Sequence, residues 1–331
     1  MARRFTARRI PVLCALAVAA CLAWPLQAGA QPQPPAQPRP GAPRAWQIEA
    51  VAGMARLSPD DLNARVAYDT VWLDYLRAAQ VTQQHDGELL ELSDATPFAV
   101  RVTKRVGRHW TAGGGFSYFS SRRASAASAS YRYTVIDPRA QEYQREFAQS
   151  LEVDPLELEV RDYFPHGLVG YDVGLGTRLR LGGTLALGWV VADCTVTRSS
   201  AALGGFYATS NRTDLEMTGR GGGVAADALL VARLAVTSRV GVLAEGGYSW
   251  HQVGNVTGTR ESAQRIQDGE ATEVEREVVA RAEGRWINQA VTVQTVTGGW
   301  RGTVPSIGGD GPPFTLSLSG WQFRVGVSFG L

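Results

Sequence analysis

The chain has 331 residues, 44% hydrophobic and 19% charged, with 33 Lys and Arg against 31 Asp and Glu, a formal net charge of +2. A balance this close to neutral excludes a charge-driven nucleic-acid binder. Beyond the N-terminal thirty or so residues, no stretch approaches the roughly eighteen consecutive apolar residues that a membrane-spanning helix needs.

At the N-terminus, Arg3, Arg4, Arg8 and Arg9 precede an apolar run from Ile10 to Leu26, and Ala28-Gly29-Ala30 follows as a small-x-small cleavage site. That order is a secretory signal peptide over 1–30, with Gln31 starting the mature chain. Val18-Ala19-Ala20-Cys21 supplies a lipoprotein box as an alternative reading of the same segment. Cleavage removes four basic residues and no acid, leaving 29 against 31, so the mature charge is −2. It also removes Cys14 and Cys21; Cys194 alone remains, and the mature chain forms no internal disulfide. Residues 31–43 (QPQPPAQPRPGAP) are too rich in proline to pack, and form an extended leader.

From residue 44 to the end, eight segments alternate between apolar and polar or small residues, the period of a strand with one apolar face. The first, Trp46 to Met54, sets Trp46, Ile48, Ala50, Ala52 and Met54 against Gln47, Glu49 and Gly53. In the second, Pro97 to Val106, Phe98, Val100 and Val102 oppose Arg101, Thr103 and Arg105; a turn at Gly107-Arg108 leads to the third, Trp110 to Phe119. The fourth covers about His166 to Arg180, with Asp172, Arg178 and Arg180 on its polar face. Gly182-Gly183 then reads as a turn into the fifth, marked by Leu185, Leu187, Trp189 and Val191. The sixth spans Val224 to Val236, with Asp227 and Arg233 on the polar face, and a turn at Thr237-Ser238-Arg239 opens the seventh. There Val240, Val242, Ala244, Tyr248 and Trp250 oppose Gly241, Glu245, Gly247, Ser249 and His251. The eighth is Gly320 to Leu331.

Short turns near 107, 182 and 238 alternate with long connections at 57–95, 120–157, 198–213 and 255–312. Within these, the alternation over 131–160 and 257–300 (Tyr131, Tyr133, Val135; Val291, Val293, Thr295) suggests strands that extend past the eight segments. Ser58-Pro59-Asp60-Asp61 starts a helix, because Ser caps, Pro suits the first helical position and acids favour the positive helix end. Leu62, Val66, Leu73 and Leu76 give it one apolar stripe, to be buried over the mouth of the sheet or inside it.

The candidate site residues lie on the polar faces. Glu49, Glu245 and Arg324 read as similar in depth on the first, seventh and eighth segments, and sheet closure would place Arg324 between the two carboxylates. An ion-paired cluster is the way to bury such charges, so the expected role is an internal brace. Ser249 and His251, two residues apart on one face, are the only candidate nucleophilic pair. Glu270, Glu273, Glu275 and Glu277, with Arg265, Arg276 and Arg281 nearby, read as a solvated face, with divalent-cation binding as the alternative. No cofactor or metal motif is visible, and the glycine triplets 113–115 and 221–223 lack the strand-to-helix context of a nucleotide loop.

The last eight residues carry a resemblance. Arg324, Val325, Gly326, Val327, Ser328, Phe329, Gly330 and Leu331 fit the pattern polar, any, Gly, any, any, hydrophobic, any, hydrophobic. This resembles the C-terminal signal by which Gram-negative outer-membrane barrels are recognised for insertion, departing from it in the final Leu where Phe is usual. With the signal peptide, the strand rhythm and the aromatic residues at strand ends (Trp46, Trp110, Tyr248, Trp250, Trp321), the chain over 44–331 resembles the small, eight-stranded outer-membrane β-barrel proteins. The resemblance implies an all-β fold: an antiparallel transmembrane barrel of eight strands, or ten if the fourth long connection adds a hairpin, with a short helix in the first extracellular loop. It implies residence in the outer membrane and contact with its lipid, lipopolysaccharide and the barrel-insertion machinery. It carries over no catalytic or binding residue. The leading function is structural or surface interaction through the long loops; a narrow pore and a lipid-modifying enzyme are the alternatives.

Overall fold

The computed structural model describes residues 46–78, 84–136, 144–204, 209–267, 276–295 and 298–331. The expected signal peptide and leader, and Glu270, Glu273 and Glu275 of the acidic patch, lie outside them. In chain order the elements are β1 (Trp46–Leu57), α1 (Asp60–Ala78), β2 (Gln84–Glu88), β3 (Asp94–Val106), β4 (Trp110–Ile136), β5 (Gln144–Leu175) and β6 (Leu179–Gly204). There follow β7 (Thr209–Ala235), β8 (Val240–Gln267), β9 (Arg276–Thr295), β10 (Gly298–Ile307), β11 (Leu316–Ser317) and β12 (Gly320–Gly330).

Eight of these strands close an antiparallel ring in the order β8-β12-β1-β3-β4-β5-β6-β7, with β7 returning to β8. Following paired residues once around leads from Gln47 through Thr103, Gly113, Leu168, Ala186, Asp227, Ser249 and Gly320 to Leu57, ten residues further along β1. A stagger of this size tilts the strands by about 40° and leaves an interior just wide enough for side chains. The hairpin β9–β10 stays outside the ring, pairing only with the far half of β8 (Thr257 to Ile266).

Both termini of the ring and its tight turns meet at one end, where Leu331 donates its amide to Trp46 and Gly330 donates to Arg239. One turn differs from the sequence reading. β5 turns into β6 around Gly176, which has a φ of 81°, while Gly182 and Gly183 lie inside β6. Gly182 is small because its strand closes on Tyr171 and Asp172, where the Tyr171 carbonyl and the Asp172 Cα leave no room for a Cβ. The long connections also change character. Most of 120–157 and 198–213 is sheet, so β4 to β8 run far past the other strands as one paired extension.

Side-chain polarity inverts along these strands. Near the turn end the outward face is apolar and exposed: Leu187 is 67% accessible, Leu230 76% and Trp321 69%. The belt runs from Val240 to Trp250 on β8 and from Leu181 to Val191 on β6; ten residues at about 3.3 Å each, tilted by about 40°, make it roughly 25 Å tall. Beyond it the outward face carries ion pairs, such as Arg122–Glu157 at 2.7 Å and Arg220–Asp193 at 2.6 Å. The inward face reverses in step, from charged residues at the turn end to Leu156, Leu158, Val160, Val190, Ala192, Val196 and Met217 in the extension.

The apolar interior is roofed by α1 and the β9–β10 hairpin. Leu62, Val66, Leu73 and Leu76 of α1 are buried in it, as the stripe predicts, together with Trp286, Phe314, Leu316 and Leu318. Polar contacts fix the helix. Asp69 accepts from both Arg198 Nε (2.9 Å) and Arg198 Nη2 (3.0 Å) and from Arg65 Nε (3.1 Å). Burial pulls the Arg65 guanidinium below its ordinary pKa, against the opposing pull of Asp69. At the helix start, Asp61 accepts from Asn288 Nδ2 at 3.1 Å and from the Thr315 amide at 3.0 Å.

Cys194 is buried in this core, where burial pushes its thiol up to about 12. A protonated, enclosed thiol is inert. A maleimide reagent is therefore expected to leave Cys194 unlabelled in the folded protein at neutral pH and to label it fully after denaturation, as read by intact mass.

Candidate functional site

The inward residues of the turn-end half form one connected chain of ion pairs. Inward parity places them, since successive residues of a strand face opposite ways and the apolar partners take the outside. Asp172 on β5 meets Arg180, whose Nε donates at 2.8 Å, Arg105 at 3.2 Å and Arg233 at 3.9 Å. Arg233 Nε donates to Glu49 Oε1 at 2.9 Å, and Glu49 Oε2 lies 3.9 Å from Arg101 Nε. Arg101 Nη2 then donates to Glu245, whose other oxygen lies 2.5 Å from Arg324 Nε, out of line for a hydrogen bond. Arg324 Nη2 reaches to 3.8 Å from Asp227.

His251 completes the chain between two carboxylates, with Nδ1 at 2.8 Å from Asp162 and Nε2 at 3.2 Å from Asp227. Its ring packs on Phe164 at 4.7 Å between centroids. Five carboxylates (Asp172, Glu49, Glu245, Asp227, Asp162) thus interleave with five arginines and this histidine. Glu49, Asp162, Arg101, Arg324 and His251 are all 3% exposed or less. Charges taken this far from water are held only by mutual pairing.

All three residues expected from the sequence belong to this chain, but they are joined differently. Arg324 contacts Glu245 and not Glu49. The register explains it: Arg324 pairs across from Gly53, whereas Glu49 pairs across from Ser328, far nearer the turn end. Arg101 bridges the two carboxylates instead. Arg101, Arg105, Asp172, Asp227 and Arg233 were legible as inward-facing in the alternation, but nothing linear says which of them meet. Asp162 was missed, because it sits where the strand changes polarity.

Ser249 does not face His251 as a nucleophile faces its base. Its hydroxyl donates to Asp227 Oδ1 at 2.6 Å, the atom that His251 also contacts, and it accepts from Gln322. His85 lies on exposed β2 and His109 lies at the turn end, its Nδ1 3.0 Å from the Asp172 carbonyl. His166 is buried, with Nδ1 3.0 Å from the Phe164 carbonyl. Gly115 has a steric role: a Cβ there would come within 2.5 Å of Arg101 Cγ and 3.0 Å of His166 Nε2. Among the described residues no set of three His, Cys, Asp or Glu side chains is arranged to hold a metal ion.

No protein family and no curated protein matches this chain.

Replacing Arg101 with Met removes the bridge between Glu49 and Glu245. Breaking a buried pair by deleting one partner is expected to destabilise by roughly 3–5 kcal/mol. Losing the exposed Arg265–Glu277 pair (3.1 Å) by Arg265→Ala is expected to change stability by less than about 1 kcal/mol. Urea unfolding of the refolded protein, followed by tryptophan fluorescence, measures both; equal effects would mean the inner charges are hydrated.

Proposed function

We propose that this chain is an outer-membrane β-barrel whose plugged ring anchors a rigid platform above the membrane, a structural or surface-interaction role rather than transport or catalysis. The observation that carries the reading is the polarity inversion along continuous strands. An apolar belt roughly 25 Å tall matches the lipid-facing band of a transmembrane barrel. Charged pairs outside and apolar residues inside, further along the same strands, suit a segment standing in water. A closed ring leaves no unpaired strand edge, and it is the one sheet arrangement that lipid tolerates. Trp110, Tyr171, Tyr248, Trp250 and Trp321 lie towards the rims of the belt, where aromatic side chains favour the interface.

The C-terminal pattern and the expected signal peptide support the same location and contact with the insertion machinery. No described helix is long and apolar enough to cross a membrane, so the strands are the candidate spans. The interior supports a plugged barrel over a pore, because the ion-paired chain fills the turn-end half and the core under α1 fills the other. The placement of Ser249 and His251, both on Asp227, supports an internal brace over nucleophilic catalysis. The partners expected are outer-membrane lipid and lipopolysaccharide around the belt, with surface ligands on the extension.

Two measurements test this. Leu230→Arg adds a charge in the middle of the belt. It is expected to lower stability by about 2–4 kcal/mol in a bilayer and to be nearly silent if that face meets water. In planar bilayers the refolded protein is expected to carry no discrete current steps, although heat-modifiable gel migration reports insertion. Steps that grow in Arg324→Ala would make it a gated pore.

A further inference from the structure

The turn end of the ring opens into a cavity of about 290 Å³. Its wall carries Arg105, Arg178, Arg180, Arg233 and Arg239, and no carboxylate. Hydroxyls of Thr177, Ser238 and Ser328 add neutral donors to the same wall.

The charges behind this wall do not balance it. Asp172 is shared by Arg105, Arg180 and Arg233. Glu49, the other carboxylate near Arg233, is shared with Arg101 deeper in the ring. Arg178 and Arg239 form no ion pair among the described residues, and both are exposed at the rim. Deeper in the same half of the ring, Arg101 and Arg324 each lie beside a carboxylate; at the mouth the cations outnumber their partners. A concave site between low-dielectric walls concentrates such a field.

We infer that this mouth binds a small phosphate-bearing anion. Guanidinium forks match phosphate oxygens two at a time, and a phosphate monoester carries nearly two charges on three acceptor oxygens. That suits a surplus of more than one cation better than a single carboxylate does. The phosphate can belong to a soluble ester or to a phospholipid headgroup. The second source rests on the membrane reading, since the mouth then lies at headgroup level; the first does not.

The test uses the full refolded chain. Glycerol phosphate is titrated by calorimetry into protein held in a nonionic detergent, and the lipid retained from nanodiscs of phosphatidylcholine doped with phosphatidic acid is quantified in parallel. Saturable binding that weakens with salt identifies a soluble ester; enrichment of phosphatidic acid without it identifies the headgroup. In either case Arg178→Gln/Arg239→Gln is expected to weaken binding by about tenfold or more, since each charge-assisted contact contributes on that scale. Gel heat-modifiability checks the fold, and Arg239→Gln alone serves if the double variant fails it. The inference falls if neither probe binds, or if the arginine variants bind as the parent does. A conductance result that overturned the plugged-barrel reading would leave the glycerol phosphate arm intact.

Discussion

Closure of the ring sets everything else. Once β7 returns to β8 with a stagger of ten residues, the interior is just wide enough for side chains to fill. Every inward residue must pack against, or pair with, an inward residue of another strand. At the turn end the inward residues are acids and arginines, so they interleave until each carboxylate has a guanidinium or imidazole beside it. Glycines such as Gly115 make the space for the large guanidinium of Arg101.

The same closure explains the two-part character of the molecule. The same strands run from the belt into the extension, with pairing skipped at Phe164 and Pro165 between β5 and β6 and shifted at Arg220 to Gly222 between β7 and β8. The side chains change character on both faces at one level. Along β6, the outward face passes from Leu187, Trp189 and Val191 to Asp193, Thr195 and Thr197, while Ala192, Cys194 and Val196 carry the apolar character inward. The extension behaves there as an ordinary core-forming sheet, and like any open end it needs a roof. α1 and the β9–β10 hairpin supply one, held by Asp69 to Arg198 and by Asp61 to the segment around Thr315.

The two halves also resist perturbation differently. The extension is stabilised by burying apolar surface under α1, a diffuse contribution in which volume-conserving apolar swaps are tolerated by repacking. The turn-end half depends on paired charges in which each partner compensates its neighbours, so the loss of one leaves another uncompensated. A closed ring with a packed and paired interior is therefore stiff. The arginine-lined mouth, where cations outnumber carboxylates, is also where the interior opens outward.

Which face each residue takes was legible in the sequence. Period-two alternation put Leu185, Leu187 and Trp189 outside and Asp227, Arg233 and Glu245 inside, and the stripe Leu62, Val66, Leu73, Leu76 announced α1, because these patterns follow from local backbone geometry alone. The strand extensions were legible in part, from the alternation at Tyr131, Tyr133 and Val135 and at Val291 and Val293; their continuity with the belt strands was not. A reader who equates apolar with outward loses β5 near Tyr163 and β6 near Val191, where the environment of each face reverses. Only the tertiary structure decided the pairings: that Arg324 meets Glu245, that Glu49 meets Arg233 from across the ring, and that five arginines converge on one mouth. Those depend on the stagger accumulated around eight strands, a property of closure that no single strand records.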